Sequence, residues 1–531
     1  MSADDQQLPV GIVGAGPIGM ITALGLARYG VPVVVFEEDD RLSLDTKAGT
    51  ILTRTLEVLH RYDALTPVLR ASLRLDEIGD IDRATGAKAR SVLTGALTED
   101  TRFPFVINIP QNELEPVLKG VLERRAPGAL RLANRVTGFT QHDDRVEVEV
   151  QTPAGAETVG VRYLLACDGG RSFVREQLGI AVEGYTLEDR YTLVDIRADL
   201  DIANPRDYPY LAYFGDPQEW MILVRQPHCW RFLFPLAAGA AMPTREELGA
   251  KARRFIGDVD DIEIFNSNIY TVHHRVADRW RDGRVLLMGD AAHLITPMWA
   301  LGLNTGVLDA SNLPWRLAWV LRGWADETLL DGYETEQSPV AIKGSGEMAD
   351  AARAYMQRRA GGVEAMGEGN WGNAFTRGLL GVSLDVDGTG DWSMVRSGHE
   401  PDRVRSGDRA PDLPLFGDDG IVHLHDLAAD GFVALYFTDT RRRPAIPEHT
   451  EQLRHFAVSR WDAPHDSGLR DRALFDPAER VRRRFGIEGD ALVLLRPDAH
   501  VAAIEALDPG AAGERALELY QHVTGRAPVR T

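Results

Sequence analysis

Glycine and acidic residues follow three apolar segments of this sequence, in patterns suited to binding a phosphate-containing ligand. Gly14, Gly16 and Gly19 have the spacing G-x-G-x-x-G and come directly after the apolar run Val10–Val13. The first glycine permits a tight turn, the second lets backbone approach a pyrophosphate, and the third lets a helix pack against a strand. A helix that begins at such a loop also offers N–H groups and partial positive charge to phosphates.

The residues around this loop predict a strand, a helix and a second strand. Pro17 suits the first helical turn, where its missing N–H is not needed, and Gly30 suits the end of a helix reaching about Tyr29. Val33–Phe36 reads as the second strand, followed by Glu37 and Glu38. Glu37 is placed to accept hydrogen bonds from a ribose diol. The unit predicts a bound dinucleotide without distinguishing FAD from NAD, and a glycine-rich turn with no ligand is the alternative.

Two more acids follow apolar segments later in the chain. Asp168 begins DGG after the apolar residues 163–167, and Asp290 follows an apolar strand that begins at Val285. For Asp168 the alternative is simple helix capping. Since ligands bind at the carboxyl edge of a parallel sheet, the three segments together indicate one extended ligand lying across that edge.

In this order, the three motifs resemble those of the single-component FAD-dependent aromatic hydroxylases, which have the para-hydroxybenzoate-hydroxylase fold. The motifs are the glycine fingerprint, DGGRSFVR from Asp168 and GDAAH from Gly289, and the resemblance covers about the first 350 residues. Within the family, the sequence looks most similar to 3-(3-hydroxyphenyl)propionate hydroxylases and related phenol hydroxylases. The resemblance implies FAD as cofactor and NAD(P)H as co-substrate.

The resemblance also implies which residues contact the cofactor: the glycine loop the pyrophosphate, Glu37 the adenosine ribose, Asp168 the pyrophosphates, Gln111 and Asp290 the ribityl chain, and loop 297–304 the pyrimidine ring. The full set is Gly14, Gly16, Pro17, Gly19, Glu37, Glu38, Lys47, Ala48, Gln111, Asp168, Asp290, Pro297, Gly302, Leu303 and Asn304.

Around loop 297–304 the sequence departs from the family pattern. Ala300-Leu301-Gly302 replaces Gly-Gln-Gly, and Pro314 falls inside the long helix that follows, where proline normally kinks or breaks a helix. Asn304 is expected to cap that helix. His293 is expected to be a packed structural histidine, because the sequence identifies no acid to pair with it.

The predicted fold class is α/β, with three parts: a Rossmann-like FAD-binding domain with a parallel sheet, an interleaved α+β substrate domain, and a C-terminal thioredoxin-like domain. The predicted boundaries are 1–76, 106–183 and 281–345 for the FAD-binding domain, 77–105 and 184–280 for the substrate domain, 346–396 for a helical or irregular connection, 397–414 for a linker, and 415–531 for the C-terminal domain, which has no CxxC.

Short strands with apolar and aromatic residues within 184–280 predict a sheet that covers an apolar pocket. Tyr213, Arg231, Tyr270, His273 and Pro297 are pocket candidates by position only, and sheet-core or surface roles are the alternative for each. The sequence assigns no catalytic residue.

The reaction implied by the resemblance is hydroxylation of a phenolic or related aromatic substrate with O2, through a flavin hydroperoxide. A tailoring monooxygenase for large polyketide or other aromatic natural products is the first alternative. A protein that binds FAD without oxygenating is the second.

Composition limits the partners. A net charge of −20 argues against nucleic acid and anionic membranes. The uncharged segment 6–27 is interrupted by glycines, so we expect no membrane span. Only two cysteines are present, which excludes a four-cysteine zinc site, so no metal is expected, and a reducing cytoplasmic location is favoured. Assembly into a homodimer stays open.

Overall fold

The computed structural model describes most of the 531-residue chain. The described residues are 8–44, 49–200, 208–217, 219–257, 259, 261–296, 298–357, 384, 404–438, 446–460, 472–508 and 511–529. Lys47, Ala48 and Pro297, three of the candidate site residues, lie outside these ranges.

A six-stranded sheet carries the glycine loop. Its strands, in spatial order, are Arg281–Asp282, Val285–Leu287, Leu164–Ala166, Val10–Val13, Val33–Phe36 and Leu130–Arg131. All neighbouring pairs are parallel except the first pair. The central strands are short buried apolar runs, as expected for a parallel sheet covered on both faces.

Helices flank this sheet, and the helix after the glycine loop packs against the long helix later in the chain. The α-helices of this part are Pro17–Arg28, Thr53–Arg61, Leu65–Arg70, Gln111–Arg125, Phe173–Gln177, Leu301–Leu321, Asp331–Pro339 and Glu347–Met356. Shorter 3-10 turns lie at Thr94–Leu97, Gly289–Ala291, Met298–Ala300 and Glu327–Leu330, and a π-helical turn lies at Val340–Gly346. Helix Leu301–Leu321 continues through Pro314, whose ring would lie 3.0 Å from a Cβ on Gly25. A glycine at position 25 therefore lets the two helices approach closely.

An eight-stranded sheet forms the second layer. Its spatial order is His293–Leu294, Glu263–Ala277, Val182–Arg197, Trp230–Leu236, Met221–Arg225, Leu211–Gly215, Glu77–Asp82 and Lys88–Leu93. Neighbouring strands are antiparallel except for one parallel pair, Leu211–Gly215 with Glu77–Asp82. The sequence predicts a strand beginning at Thr192, but the structure begins it at Val182, because residues 182–186 also pair with the long strand Glu263–Ala277.

Both faces of this sheet are apolar, because successive side chains along a strand point to opposite sides and apolar residues occupy both sets of positions. One face packs against helix Arg245–Ile256, through residues such as Phe232 and Phe255. That helix begins with a capping box of Thr244 and Glu247. The opposite face bounds a cavity.

Two smaller antiparallel sheets complete the first part of the chain. One contains the strands Gly155–Val161, Val146–Thr152 and Arg135–Gln141, and the other contains Thr50–Ile51, Val106–Asn108 and Leu73–Leu75.

The C-terminal part contains a seven-stranded mixed sheet. Its spatial order is Gly420–His423, Pro414–Gly417, Ala473–Phe475, Leu453–Ser459, Phe432–Phe437, Ala491–Leu495 and Val501–Ala506, with helices at Leu424–Ala428, Arg480–Arg484 and Ala512–Thr524. The apolar runs Phe432–Phe437 and Ala491–Leu495 predict two strands, and the structure forms strands with these bounds.

Buried contacts join this sheet to the first part of the chain. Arg496 forms ion pairs with Glu336 at 2.6 and 2.9 Å, and the Trp315 ring lies 5.6 Å from that of Phe432. The predicted α/β fold class is confirmed, and the domain boundaries stay predictions.

Candidate cofactor and substrate site

The glycine loop has the shape needed for a closely approaching ligand. Gly14 has φ +98°, and a Cβ there would lie 2.4 Å from the Cys167 carbonyl oxygen. A Cβ on Gly19 would lie 2.1 Å from the Gly14 carbonyl oxygen. Gly16 differs, because a Cβ there meets no atom of the described residues within 4 Å, and none of their side chains caps the helix that it precedes. The open side of the loop at Gly16 and the helix start therefore suit a pyrophosphate.

Glu37 is held beside this loop. Its Oε2 accepts a hydrogen bond from Ala15 N at 2.8 Å, and its Oε1 accepts one from Asp39 N at 3.2 Å. Glu38 is exposed and lies 3.7 Å from Arg135. Of the two acids, only Glu37 contacts the loop.

Asp168 contacts the start of a helix. Its Oδ2 accepts a hydrogen bond from Val174 N at 3.1 Å, next to the cap that Ser172 Oγ provides to Arg175 N. Burial raises the pKa of Asp168, although hydrogen bonds to its carboxylate from the Ser172 side chain and from Val174 N oppose the shift. The contact is the capping arrangement given above as the alternative for this acid.

Arg175 links two of the three sequence motifs. Its guanidinium donates hydrogen bonds to the carbonyl oxygens of Ala291 and Gly170, both at 2.9 Å. The DGG turn and the GDAAH turn are thereby fixed against each other.

The GDAAH turn is held by a buried acid that the sequence analysis did not identify. Asp309 Oδ2, on helix Leu301–Leu321, lies 2.8 Å from both Gly289 N and His293 Nε2. Burial lowers the pKa of His293, but the Asp309 carboxylate outweighs it and the net pKa is raised. The expectation that His293 lacks an acid partner is therefore wrong, and its structural role follows from this pair. The turn that it supports presents Asp290 to the cavity.

The expectation that Asn304 caps the long helix Leu301–Leu321 is wrong, and the segment before the helix explains why. Trp299 and Ala300 both adopt left-handed backbone conformations, with φ of +59° and +58°, and the helix begins immediately afterwards at Leu301. Asn304 therefore lies inside the helix and does not cap it.

The side chain of Asn304 is used elsewhere. Its Oδ1 accepts hydrogen bonds from Leu52 N at 2.9 Å and Thr55 Oγ1 at 2.7 Å, and its Nδ2 donates to Thr50 O and Ala300 O. Asn304 thus ties the helix start to the segment 50–55, whereas Gly302 and Leu303 line the cavity.

One cavity of about 480 Å³ lies between the six-stranded and eight-stranded sheets. Its apolar wall comes from the eight-stranded sheet and includes Leu193, Leu211, Ile222, Val224, Leu233 and Val272. The candidate residues that it brings together are Gly16, Pro17, Gln111, Asp290, Gly302, Leu303, Tyr213, Arg231, Tyr270 and His273. Gly14, Gly19, Glu37, Glu38, Asp168 and Asn304 do not line it.

The polar groups on the cavity wall differ in their hydrogen bonds and in how burial shifts their pKa values. Gln111 Nε2 donates to Glu115 Oε1 at 2.8 Å. Burial raises the pKa of Tyr213, so its phenol stays protonated. Burial, with the charge of Arg275, lowers the pKa of His273, whose Nδ1 lies 2.8 Å from Thr186 Oγ1. His273 is therefore neutral at neutral pH.

Sequence reasoning missed several polar residues of the cavity wall, among them Thr50, Thr271 and Gln226. Gln226 is fully buried and lies in the turn between strands Met221–Arg225 and Trp230–Leu236. It belongs to no motif, and only the strand pairing brings it beside Arg231.

Within the described ranges, no helix is both long and apolar enough to cross a membrane. The same part of the chain contains no group of three or more His, Cys, Asp or Glu side chains arranged to hold a metal ion.

Comparison with solved structures relates this fold and site to the flavin-dependent monooxygenases. A crystal structure of aklavinone-11 hydroxylase, in a ternary complex with FAD and aklavinone, aligns with a TM-score of 0.78 and 26% identity. The alignment covers 98% of this chain and all of that one. The para-nitrophenol 4-monooxygenase of Pseudomonas sp. (strain WBC-3) is 29% identical over 65% of this chain and 86% of its own length.

The 3-(3-hydroxy-phenyl)propionate/3-hydroxycinnamic acid hydroxylase of Mycolicibacterium gilvum is 34% identical over 63% of this chain, and the match covers 58% of that relative's length. Residues 7–344 match the family model described as "FAD binding domain". The chain belongs to this family. The resemblance to single-component FAD-dependent aromatic hydroxylases, seen in the motifs, is confirmed, and so is the expectation of an FAD cofactor.

Proposed function

We propose that the protein is an NAD(P)H-dependent FAD monooxygenase that uses O2 to hydroxylate a phenolic or related aromatic substrate. The observation that carries this proposal is one continuous cavity, which extends from the glycine loop to the apolar wall of the eight-stranded sheet. When bound, FAD would activate O2, which provides the transferred oxygen atom, with NAD(P)H as the source of the electrons. The chain's own part is to bind and orient the ring and to exclude water from the site.

In this proposal, the glycine loop holds the cofactor's pyrophosphate and Glu37 holds its ribose. Gln111, Asp290, Gly302 and Leu303 contact the flavin end, which their position on the cavity supports. Asp168 and Asn304 act indirectly, because their side chains bond to backbone at a helix start and in segment 50–55. The cofactor roles of Glu38, Lys47, Ala48 and Pro297 rest on the family resemblance alone.

The substrate ring is proposed to lie on the apolar wall, with Tyr213, Tyr270, His273 and Arg231 supplying the polar contacts. An apolar pocket with few polar groups is typical of sites that bind aromatic ligands. Each of these four side chains borders the cavity, which supports the assignment.

A tailoring monooxygenase for a large aromatic natural product is the second candidate. One observation favours it: the aklavinone-11 hydroxylase aligns over almost the whole chain, including the C-terminal sheet. The sequence matches to the nitrophenol and hydroxyphenylpropionate enzymes cover less than two thirds of the chain.

The proposal is tested by measuring NADH and NADPH oxidation by the FAD-loaded protein with a set of aromatic compounds. A suitable set contains phenol, 4-nitrophenol, 3-(3-hydroxyphenyl)propionate and a hydroxylated anthraquinone, with products identified by mass spectrometry. We expect at least one compound to stimulate cofactor oxidation and to yield a product one oxygen atom heavier. Formation of hydrogen peroxide without any hydroxylated product from the set would contradict the proposal and favour a non-oxygenating flavoprotein.

We further propose a cytoplasmic location and no nucleic-acid partner. Two free cysteines and a net charge of −20 support these assignments. The domain division predicted from the sequence is likewise proposed, on the support of the separate sheets. A homodimer is an open proposal, for which light scattering of the purified protein is the test.

A further inference from the structure

Two deeply buried polar atoms on the cavity wall have no hydrogen-bond partner among the residues that the structure describes. They are Oε1 of Gln226, which is 0% exposed, and Nη1 of Arg231, which is 5% exposed. Both residues line the cavity, and both side chains end beside Gly49, where a Cβ would lie 2.3 Å from Gln226 Nε2 and 3.2 Å from Arg231 Nη1. Because an unpaired buried polar group is costly, these two atoms indicate where a ligand makes hydrogen bonds.

The charge of Arg231 is already compensated. Its Nε and Nη2 donate to the two oxygens of Asp195, at 2.8 and 3.2 Å, and Asn266 Nδ2 donates to the same carboxylate at 2.9 Å. The pair is buried, since Asp195 is 1% exposed. Arg231 therefore offers the cavity one N–H donor within a neutral pair.

The orientation of Gln226 is fixed by its other contact. Its Nε2 donates to the Gly49 carbonyl oxygen at 3.3 Å. The reversed amide would place two acceptor oxygens against each other, so the unpaired atom is the acceptor. The wall thus presents one donor and one acceptor side by side.

The remaining charges near the cavity do not favour an anion. Asp290 is an acid on the lining, and the lowered pKa of His273 leaves that ring neutral. Among the described lining residues, Arg231 is the only Lys or Arg, and it is paired with Asp195.

We propose that Gln226 and Arg231 together bind a neutral hydroxyl group of the aromatic substrate. The hydroxyl oxygen accepts a hydrogen bond from Arg231 Nη1, and the O–H group donates a hydrogen bond to Gln226 Oε1. A carboxylate has no O–H group to donate to Gln226, and its oxygens would lie against the Gln226 Oε1 acceptor. It would also gain little charge attraction from Arg231, whose charge is compensated by Asp195. The inference rests on the proposed hydroxylase function and narrows its substrate to an uncharged hydroxylated aromatic compound rather than an aromatic acid.

Binding of matched probes to the oxidised FAD-loaded protein at pH 7 tests this without turnover. The probes are 2-naphthol, 2-methoxynaphthalene and 2-naphthoate, which share one ring system and differ in the polar group. Dissociation constants come from the change in flavin absorbance or from calorimetry. Loss of one neutral hydrogen bond corresponds to about a twofold to tenfold weaker affinity. We expect 2-naphthol to bind that much more tightly than 2-methoxynaphthalene, and 2-naphthoate to bind most weakly.

The variant Gln226→Leu removes the acceptor and leaves the Arg231–Asp195 pair in place. It is expected to remove the preference for 2-naphthol over 2-methoxynaphthalene while keeping FAD bound. Gln452→Leu is the matched control, because Gln452 is 2% exposed and also has an unpaired Oε1, yet lies in the C-terminal sheet region away from the cavity. That control is expected to keep the wild-type preference.

Equal binding of the naphthol and its methyl ether by wild type, tightest binding of 2-naphthoate, or no binding of 2-naphthol would each overturn the inference. So would an unchanged preference in a folded, FAD-loaded Gln226→Leu variant. Failure of the hydroxylase proposal is seen separately, as absence of any hydroxylated product, because the binding measurement needs neither NAD(P)H nor O2.

Discussion

The buried pair of His293 and Asp309 makes a specific prediction about stability and pH. Substitution His293→Gln keeps an N–H donor for Asp309 but removes the positive charge. Removing one partner of a buried ion pair costs about 3–5 kcal/mol, of which the hydrogen bond that Gln still donates to the Asp309 carboxylate retains about 1.5–3 kcal/mol. Since both residues are almost completely buried, solvent screening is small. We expect the variant to lose about 1–2 kcal/mol of unfolding free energy at pH 6.5.

The pH dependence follows from the raised pKa of His293. Because the folded-state pKa lies above the unfolded value, the stabilisation is present below about pH 6.5 and is lost as pH rises through the raised pKa. A tenfold difference in proton affinity between the folded and unfolded states corresponds to about 1.36 kcal/mol. The difference between wild type and His293→Gln should therefore shrink as pH increases.

The assay is urea unfolding of both proteins at several pH values between 6.5 and 9.5, followed by tryptophan fluorescence and flavin release. His425→Gln is the matched control, because burial lowers the pKa of that histidine to about 4, so it stays neutral across this range. Its difference from wild type should not vary above about pH 7.5. A His293→Gln effect that is equally large at pH 6.5 and 9.5 would refute the charged pair.

Two further predictions concern the glycine loop. Glu37→Ala should weaken FAD binding about tenfold to a hundredfold, because a charge-assisted hydrogen bond to the ribose is lost. Glu38→Ala is the control and should change FAD binding little. Equal retention of FAD by both variants after ultrafiltration would contradict the proposed role of Glu37. Gly14→Ala should destabilise the fold, because its Cβ would lie 2.4 Å from backbone and φ is +98°, whereas Gly16→Ala should stay folded and lose FAD affinity. Circular dichroism and flavin content separate the two effects, and a stable, flavin-loaded Gly14→Ala variant would show that the loop conformation is misassigned.

Local patterns predicted the elements around the motifs well. Val10–Val13, Val33–Phe36 and Phe432–Phe437 have the predicted bounds, because each is a short apolar run beside clear turn residues. The prediction that Asn304 caps the helix was wrong. Asparagine favours cap positions, but the left-handed residues Trp299 and Ala300 start the helix earlier, at Leu301.

Sequence patterns could not predict the contacts between residues that are far apart along the chain. Asp309 meets His293 because a helix packs back onto the turn before it, and no motif spacing encodes that approach. The Arg231–Asp195 pair depends on the register of two antiparallel strands, which places the two residues opposite each other. Arg496 and Glu336 are 160 positions apart and meet only where the C-terminal sheet packs on the first part of the chain.

The most direct test of the central claim is to follow the origin of the transferred oxygen atom. The FAD-loaded protein is given NAD(P)H, an aromatic compound that stimulates its oxidation, and ¹⁸O2 in unlabelled water. We expect a hydroxylated product that carries one ¹⁸O atom. A product whose new oxygen comes from water, or consumption of ¹⁸O2 solely into hydrogen peroxide, would contradict this expectation.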